Sequence, residues 1–247
     1  MTGPARVTWI GHSTVLIEID DVRILTDPLL RTRVMHLRRL ADLPADRLEP
    51  DAVLLSHVHW DHLDLRSLDL IAREAVVVVP KGAGRLVRKR GFTNVVELTE
   101  GEQVAVGATS VQATEAEHKV GGRARMAISE ALGYVVAGSS TVYFAGDTDL
   151  FAGMASLAPE IDAALLPVAG WGPRLPPGHL DPLRAANALR MIQPRVAIPI
   201  HWGTYAPITT RAPDGAAAAP EEFRRQAAIL APGVDVRILQ VGESTVL

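Results

Sequence analysis

Apolar residues fall in short bursts along the first third of the chain. Val7-Thr8-Trp9-Ile10, Thr14-Val15-Leu16-Ile17-Glu18-Ile19 and Val22-Arg23-Ile24-Leu25-Thr26 are strand-length runs, with turn signals at Gly11-His12 and Asp20-Asp21. Ala52-Val53-Leu54-Leu55 reads as a further buried strand. The pattern then predicts a helix over Leu63–Arg73, a strand over Val76–Val79 and a second helix over Ala83–Arg90. Strands follow near Val95–Leu98, Val104–Val106 and Thr109–Ala113. Beyond a Gly/Arg-rich loop at Gly121–Arg125, the runs Leu132–Ala137 and Thr141–Ala145 are joined by Gly138-Ser139-Ser140.

Strand and helix then alternate. Ala163–Leu166, Val196–Ile200 and Val236–Gln240 read as strands, Pro182–Ile192 and Pro220–Leu230 as helices. Both prolines suit a first helical turn, Asp181 is a good N-cap, and Leu183, Ala186, Leu189 and Ile192 form an apolar stripe. No low-complexity linker divides the chain, and Ala216–Ala219 reads as a small loop, so one domain over residues 1–247 is expected. About a dozen strands with four or five helices predict two packed sheets with helices outside, and the β-meander start argues against a simple doubly wound sheet.

Composition removes several classes. The 247 residues suit a sizeable core, and 48% hydrophobic with 21% charged residues is ordinary for a soluble globular protein. A net charge of −3 gives no reason to expect nucleic acid or an anionic membrane as a bulk partner. The absence of cysteine excludes disulfides, thiolate metal sites and cysteine nucleophiles, leaving any metal to His, Asp and Glu. The N-terminus lacks the apolar core of a secretory signal, and apolar runs are far short of a transmembrane segment. A cytoplasmic protein acting on a small molecule is expected, with a homo-oligomer left open.

Candidate chemistry is concentrated at Ser56-His57-Val58-His59-Trp60-Asp61-His62, directly after the strand Ala52–Leu55. Imidazole and carboxylate suit zinc, manganese or iron. In an extended segment His57 and His59 project to the same side and can share one ion. Asp61 and His62 lie round the turn, where Asp61 could also open the next helix. The bland alternative is a loop of solvated histidines. Three further candidates stand at strand ends, where binding residues commonly sit: His118, Asp147 and His201. Taken singly, these could be a loop histidine, a turn or N-cap aspartate and a core histidine beside Trp202.

The order His-x-His-x-Asp-His, His, Asp, His resembles the metallo-β-lactamase superfamily. Trp9-Ile10-Gly11-His12-Ser13-Thr14, Leu25-Thr26-Asp27-Pro28, Gly146-Asp147-Thr148, His179-Leu180-Asp181-Pro182 and Ile200-His201-Trp202-Gly203-Thr204 look like the branch containing N-acylphosphatidylethanolamine phospholipase D, with ascorbate-6-phosphate lactonase more distant. The resemblance covers essentially the whole chain. It implies an α/β (α+β) fold, a four-layer αββα sandwich of two mixed β-sheets with a two-metal site along one edge. It also implies two divalent ions, Zn2+ first with Mn2+ or Fe2+ as alternatives. One ion would be held by His57, His59 and His118, the other by Asp61, His62 and His201, with Asp147 bridging. The zinc β-lactamases commonly use a cysteine near Asp147, and this chain has none.

Two ions about 3.5–4 Å apart would share a water and lower its pKa towards about 7. The resulting hydroxide would attack phosphorus or a carbonyl carbon, with Asp61 orienting it or taking its proton. His179 resembles the family's non-ligand active-site histidine, donating a hydrogen bond or proton to the leaving group or oxyanion; the alternative is a surface loop histidine. His12 is expected beneath the site, orienting a ligand or the Asp27 loop, with a purely structural role as the alternative; Asp27 is expected beneath the site too, and His36 on an ordinary helix face. Arg31, Arg33, Arg123, Arg125 and Arg174 are possible anchors for phosphate or carboxylate, and the Gly170-Trp171-Gly172-Pro173 loop for lining the site. A phosphodiesterase, possible lipid-like substrates included, is the first expectation; a lactonase or other carboxylic-ester hydrolase is the alternative, and a non-catalytic metal-binding protein a third.

Overall fold

The computed structural model describes residues 3–44, 48–118, 129–157, 160–170, 175–209 and 218–247. Its strands and helices run β1 (Arg6–Gly11), β2 (Thr14–Ile19), β3 (Val22–Thr26), β4 (Arg33–Val34), β5 (Leu37–Arg39), β6 (Ala52–Leu54), α1 (Leu65–Leu68), β7 (Val76–Pro80), α2 (Gly84–Arg88), β8 (Val95–Leu98), β9 (Gln103–Val106) and β10 (Thr109–Glu115). The second half holds β11 (Leu132–Ala137), β12 (Thr141–Phe144), β13 (Ala163–Pro167), α3 (Pro182–Ile192), β14 (Val196–Ile200), β15 (Tyr205–Pro207), α4 (Ala218–Leu230), β16 (Asp235–Val236) and β17 (Ser244–Val246).

Two mixed sheets have the orders β17-β1-β2-β3-β6-β7-β8 and β9-β10-β11-β12-β13-β14-β16. Each begins with three antiparallel pairings and ends with three parallel ones. Period-2 alternation sorts the first sheet's side chains into two cores. Val7, Trp9, Val15, Ile17, Ile24, Ala52, Leu54 and Val78 face the second sheet's Val111, Tyr134 and Phe144. Their alternates Leu16, Leu25, Val53, Val77 and Val79 pack with Leu68 of α1 and Val87 of α2. On the far side, Ala185 and Leu189 of α3 and Phe223 and Ala227 of α4 join the second sheet. The layers are therefore helices, sheet, sheet, helices.

Several local expectations change. The predicted helix Leu63–Arg73 is reduced to four residues. Asp64 caps it, not Asp61, its side chain accepting from Ser67 N–H at 3.1 Å. The Arg73 guanidinium donates to the carbonyls of Leu68 and Ile71, satisfying the helix end early. Ala83–Arg90 shortens to α2, while α4 starts two residues before Pro220. The expected strand Val236–Gln240 survives only as Asp235–Val236, and the edge strand β17 on β1 was not anticipated. His36 lies in the β4–β5 turn and not on a helix, because β5 pairs with the distant β15 and His36 O accepts from Ile208 N–H. Asp181 does cap α3, accepting from Arg184 N–H at 2.8 Å with Pro182 in its first turn.

Candidate metal centre

β1, β3, β6, β10, β12 and β14 all run in one direction within their sheets, so their C-terminal ends share one edge of the sandwich. His12, Asp27, the His57–His62 run, His118, Asp147 and His201 follow those ends. Three of them, His12 (φ 55°), Asp27 (φ 31°) and His201 (φ 62°), have left-handed backbone that non-glycine residues seldom adopt. Such strain, of order 1–3 kcal/mol each, concentrates where side chains must be aimed. Gly146, before Asp147, also has positive φ, and a Cβ there would meet the Ser56 side chain at 2.6 Å.

The first cluster is His57, His59 and His118. His59 Nδ1 lies 2.7 Å from His57 Nε2 and 3.2 Å from His118 Nε2, so three ring nitrogens converge. His118 Nδ1 donates to Gly178 O at 2.7 Å, which leaves its Nε2 lone pair for the centre.

The second cluster is Asp61, His62, His201 and also His12. His201 Nδ1 donates to Ala169 O at 2.8 Å, and His62 Nδ1 meets Asp27 Oδ2 at 2.7 Å, so both present Nε2 inward. Asp27 is further fixed by Ser56 N–H at 2.7 Å and the Ser56 hydroxyl. Asp147 joins the two groups. Its Oδ2 is 3.2 Å from His62 Nε2 and its Oδ1 3.3 Å from His201 Nε2, and one of its oxygens clusters with His118 and His179.

The electrostatics favour a bound cation. Burial, then the neighbouring His62, holds the His57 pKa well below its ordinary value; burial, then His201, lowers His12 to about 4. His59 is likewise about 4, and burial lowers His118 and His201. These imidazoles are neutral at pH 7, as ligands must be. Burial opposes the charges of Asp61 and Asp147, yet nearby histidines outweigh it and hold both well below the carboxylate range. Asp147, Asp61 and Asp27 in turn raise the His62 pKa well above 6.5 despite burial, so without metal His62 supplies balancing positive charge. Meanwhile His12 Nε2, His62 Nε2, His201 Nε2 and Asp147 Oδ1 are buried without a hydrogen-bond partner. Such atoms are costly unless something else satisfies them, and a divalent metal ion suits this donor set.

His179 also reaches the centre, its Nε2 3.2 Å from Asp147 Oδ2 and its Nδ1 3.1 Å from Pro176 O. Both ring nitrogens face acceptors, an arrangement only the imidazolium satisfies with two donors. Burial disfavours that charge, but Asp147 outweighs it and raises the pKa above 6.5. Arg31 is drawn to Asp64 at the α1 cap (3.2 Å), and Arg33 is exposed on β4. Arg123, Arg125, Arg174 and Trp171 lie outside the described residues. Asp27 lies against His62 Nδ1, and His12 Nε2 comes within 4.8 Å of the ligand atoms of Asp61, His62 and His201; the signal for His12 was the Gly11-His12 turn at a strand end. Arg39 carried no such signal. Its buried guanidinium donates to the carbonyls of Ile10, Leu29 and Ala41, tying the His12 turn to β5.

A four-layer αββα sandwich with histidines and aspartates gathered at one edge defines the metallo-β-lactamase fold. Residues 22–202 match the model of the β-lactamase superfamily domain. The chain is 35% identical over 248 residues to a UPF0173 metal-dependent hydrolase of Methanopyrus kandleri, covering 97% of this chain and 98% of that protein. It is 30% identical over 226 residues to the mitochondrial N-acyl-phosphatidylethanolamine-hydrolyzing phospholipase D of Saccharomyces cerevisiae, covering 82% of this chain but 48% of the yeast protein. The solved structure of Igni18, a metallo hydrolase from Ignicoccus hospitalis, superposes with a TM-score of 0.75 at 24% identity over 99% of each chain. The chain belongs to the β-lactamase superfamily, in its branch of metal-dependent hydrolases.

Proposed function

We propose that this chain is a two-metal hydrolase that cleaves a phosphodiester in a small-molecule substrate. The carrying observation is Asp147, one carboxylate within 3.3 Å of His62 and His201 and clustered with His118. In this reading His57, His59 and His118 hold one ion, Asp61, His62 and His201 the other, and Asp147 serves both. The His/Asp donors suit zinc, with manganese and iron also accepted. Two such ions supply a Lewis acid for the substrate oxygen and an activated water at neutral pH.

The chain's own residues then divide the work. Asp27 holds the proton of His62 on Nδ1, so that an ion at the centre would displace only the Nε2 proton that His62 carries without metal. Asp61, buried and held ionised by its histidine neighbours, accepts a hydrogen bond from the attacking water and orients it. His179, with a proton on each nitrogen, donates one from Nε2 to the leaving oxygen. The strained backbones of His12, Asp27 and His201 set these groups at one edge before substrate arrives. The phosphodiester class is favoured by the likeness to the yeast phospholipase D, and a cytoplasmic enzyme is the setting proposed for it.

The test is metal analysis followed by product analysis on the same preparation. Close to two ions per chain, with cleavage of bis-p-nitrophenyl phosphate and no lactone opening, supports the reading. Lactone opening without phosphodiester cleavage assigns the same centre to carbon esters. Metal-replete protein inert on esters, lactones and phosphodiesters overturns the enzymatic reading.

A further inference from the structure

The second cluster contains one imidazole more than the assignment above uses. His12 Nε2 lies within 4.8 Å of the ligand atoms of Asp61, His62 and His201, and it is 3.4 Å from Asp61 Oδ2. That distance is long for an N–H···O hydrogen bond, and the atom is buried without a hydrogen-bond partner. The ring packs on His201, centroids 4.0 Å apart, so its reach to the centre is fixed by contact.

The backbone shows how firmly this placement is imposed. His12 adopts φ 55° on the turn between β1 and β2. Its N–H donates to Thr204 Oγ1 at 2.7 Å, and its carbonyl accepts from Trp9 Nε1 at 2.9 Å and from His201 N–H at 3.0 Å. Gly11 beside it must stay without a Cβ, which would meet Thr204 Cγ2 at 2.7 Å. The turn is thus locked to the loop that carries His201. A buried nitrogen delivered by strained backbone to within 4.8 Å of three donor atoms is what a metal ligand needs.

We propose that His12 Nε2 is a direct ligand of the second ion, giving that site three imidazoles and two carboxylates, where the first has three imidazoles and one. The inference rests on the two-metal reading. It makes the two sites equal in histidines and leaves the extra negative charge of Asp61 at the second.

The test loads 113Cd into protein labelled with 15N-histidine and counts the imidazole nitrogens coupled to each cadmium signal. Three couplings on each of two cadmium ions are expected. In His12→Asn, chosen because asparagine tolerates positive φ, one cadmium keeps three couplings and the other shows two. Chelator competition on the same variant should show the second ion weakened at least about tenfold with the first unchanged. The retained first signal also reports that the variant folds. Two bound ions with three and two couplings in the unmutated protein overturn the role of His12 alone, and mean that it only positions Asp61. A single ion on His57, His59 and His118 overturns the two-metal reading and this inference together.

Discussion

Asp27 Oδ2 lies 2.7 Å from His62 Nδ1 between two fully buried side chains, so one carboxylate determines which nitrogen of His62 faces the centre. Its other oxygen accepts from Ser56 N–H at 2.7 Å. Asp27→Asn cannot satisfy both partners, because one placement of the amide group sets N–H against Ser56 N–H. The other placement donates to His62 Nδ1 and moves the proton to Nε2, where it blocks ligation. The second ion should therefore weaken about 10–100-fold in chelator competition, with the first ion unaffected. Unaltered binding of both ions would show that Asp27 does not set the tautomer.

Asp147 carries the strongest prediction for stoichiometry. One of its oxygens is buried without a hydrogen-bond partner, while the other faces His62 and His179. Asp147→Ala removes a donor from both clusters at once. Metal analysis should fall from near two ions per chain to one or fewer, with phosphodiester turnover down by at least about 100-fold. A variant keeping both ions and full turnover would show that Asp147 is not shared.

The sheets were readable because a period of two in Val7–Thr26 and Ala52–Leu55 sorts residues between two cores, a local signal. His12, Asp27, the His57–His62 run, His118, Asp147 and His201 were readable because they come after the C-terminal ends of such strands, whereas His179 precedes α3. What escaped depended on distant partners. The β4–β5 hairpin around His36 exists because β15 adds to it from some 170 residues away, and nothing in Val34–Arg39 encodes that pairing. Asp61 and Asp64 are equally good caps on paper. Ser67 and Arg31 settle the choice in favour of Asp64. The left-handed turn that carries His12 to the second cluster is pinned by Thr204, a contact that sequence spacing does not reveal.

His179 should separate proton transfer from metal binding. His179→Gln keeps a hydrogen-bonding side chain but no titrating proton, so both ions should remain while kcat falls about 10²–10⁴-fold. The loss should be larger for an alkyl leaving group than for p-nitrophenolate, which departs without help. Without metal, Asp147 raises the His179 pKa against burial; ions held by that carboxylate would weaken this effect. The rate on the alkyl substrate should fall as pH rises through the His179 pKa of the loaded enzyme, and the variant should lose this limb. Equal losses for both leaving groups would remove the acid role.

Without metal, the histidine cluster should make the protein acid-sensitive. Burial holds His12, His57, His59, His118 and His201 below 6.5, so between pH 6.5 and their folded values the unfolded chain binds more protons than the native one. Stability from these groups is fully present above pH 6.5 and is lost as the pH falls towards 4. For His12 alone, the drop from 6.5 to about 4 corresponds to on the order of 3 kcal/mol across that window. His62 and His179, whose values are raised, act in the opposite sense, stabilising below pH 6.5 and losing that contribution as pH rises. Five groups oppose two, so chelator-treated protein should melt at a lower temperature at pH 5 than at pH 7. His12→Asn should flatten the slope, and metal added at pH 7 should raise the melting temperature by mass action. A melting temperature that is flat or rising from pH 7 to pH 5 would mean that these imidazoles are not held neutral by burial.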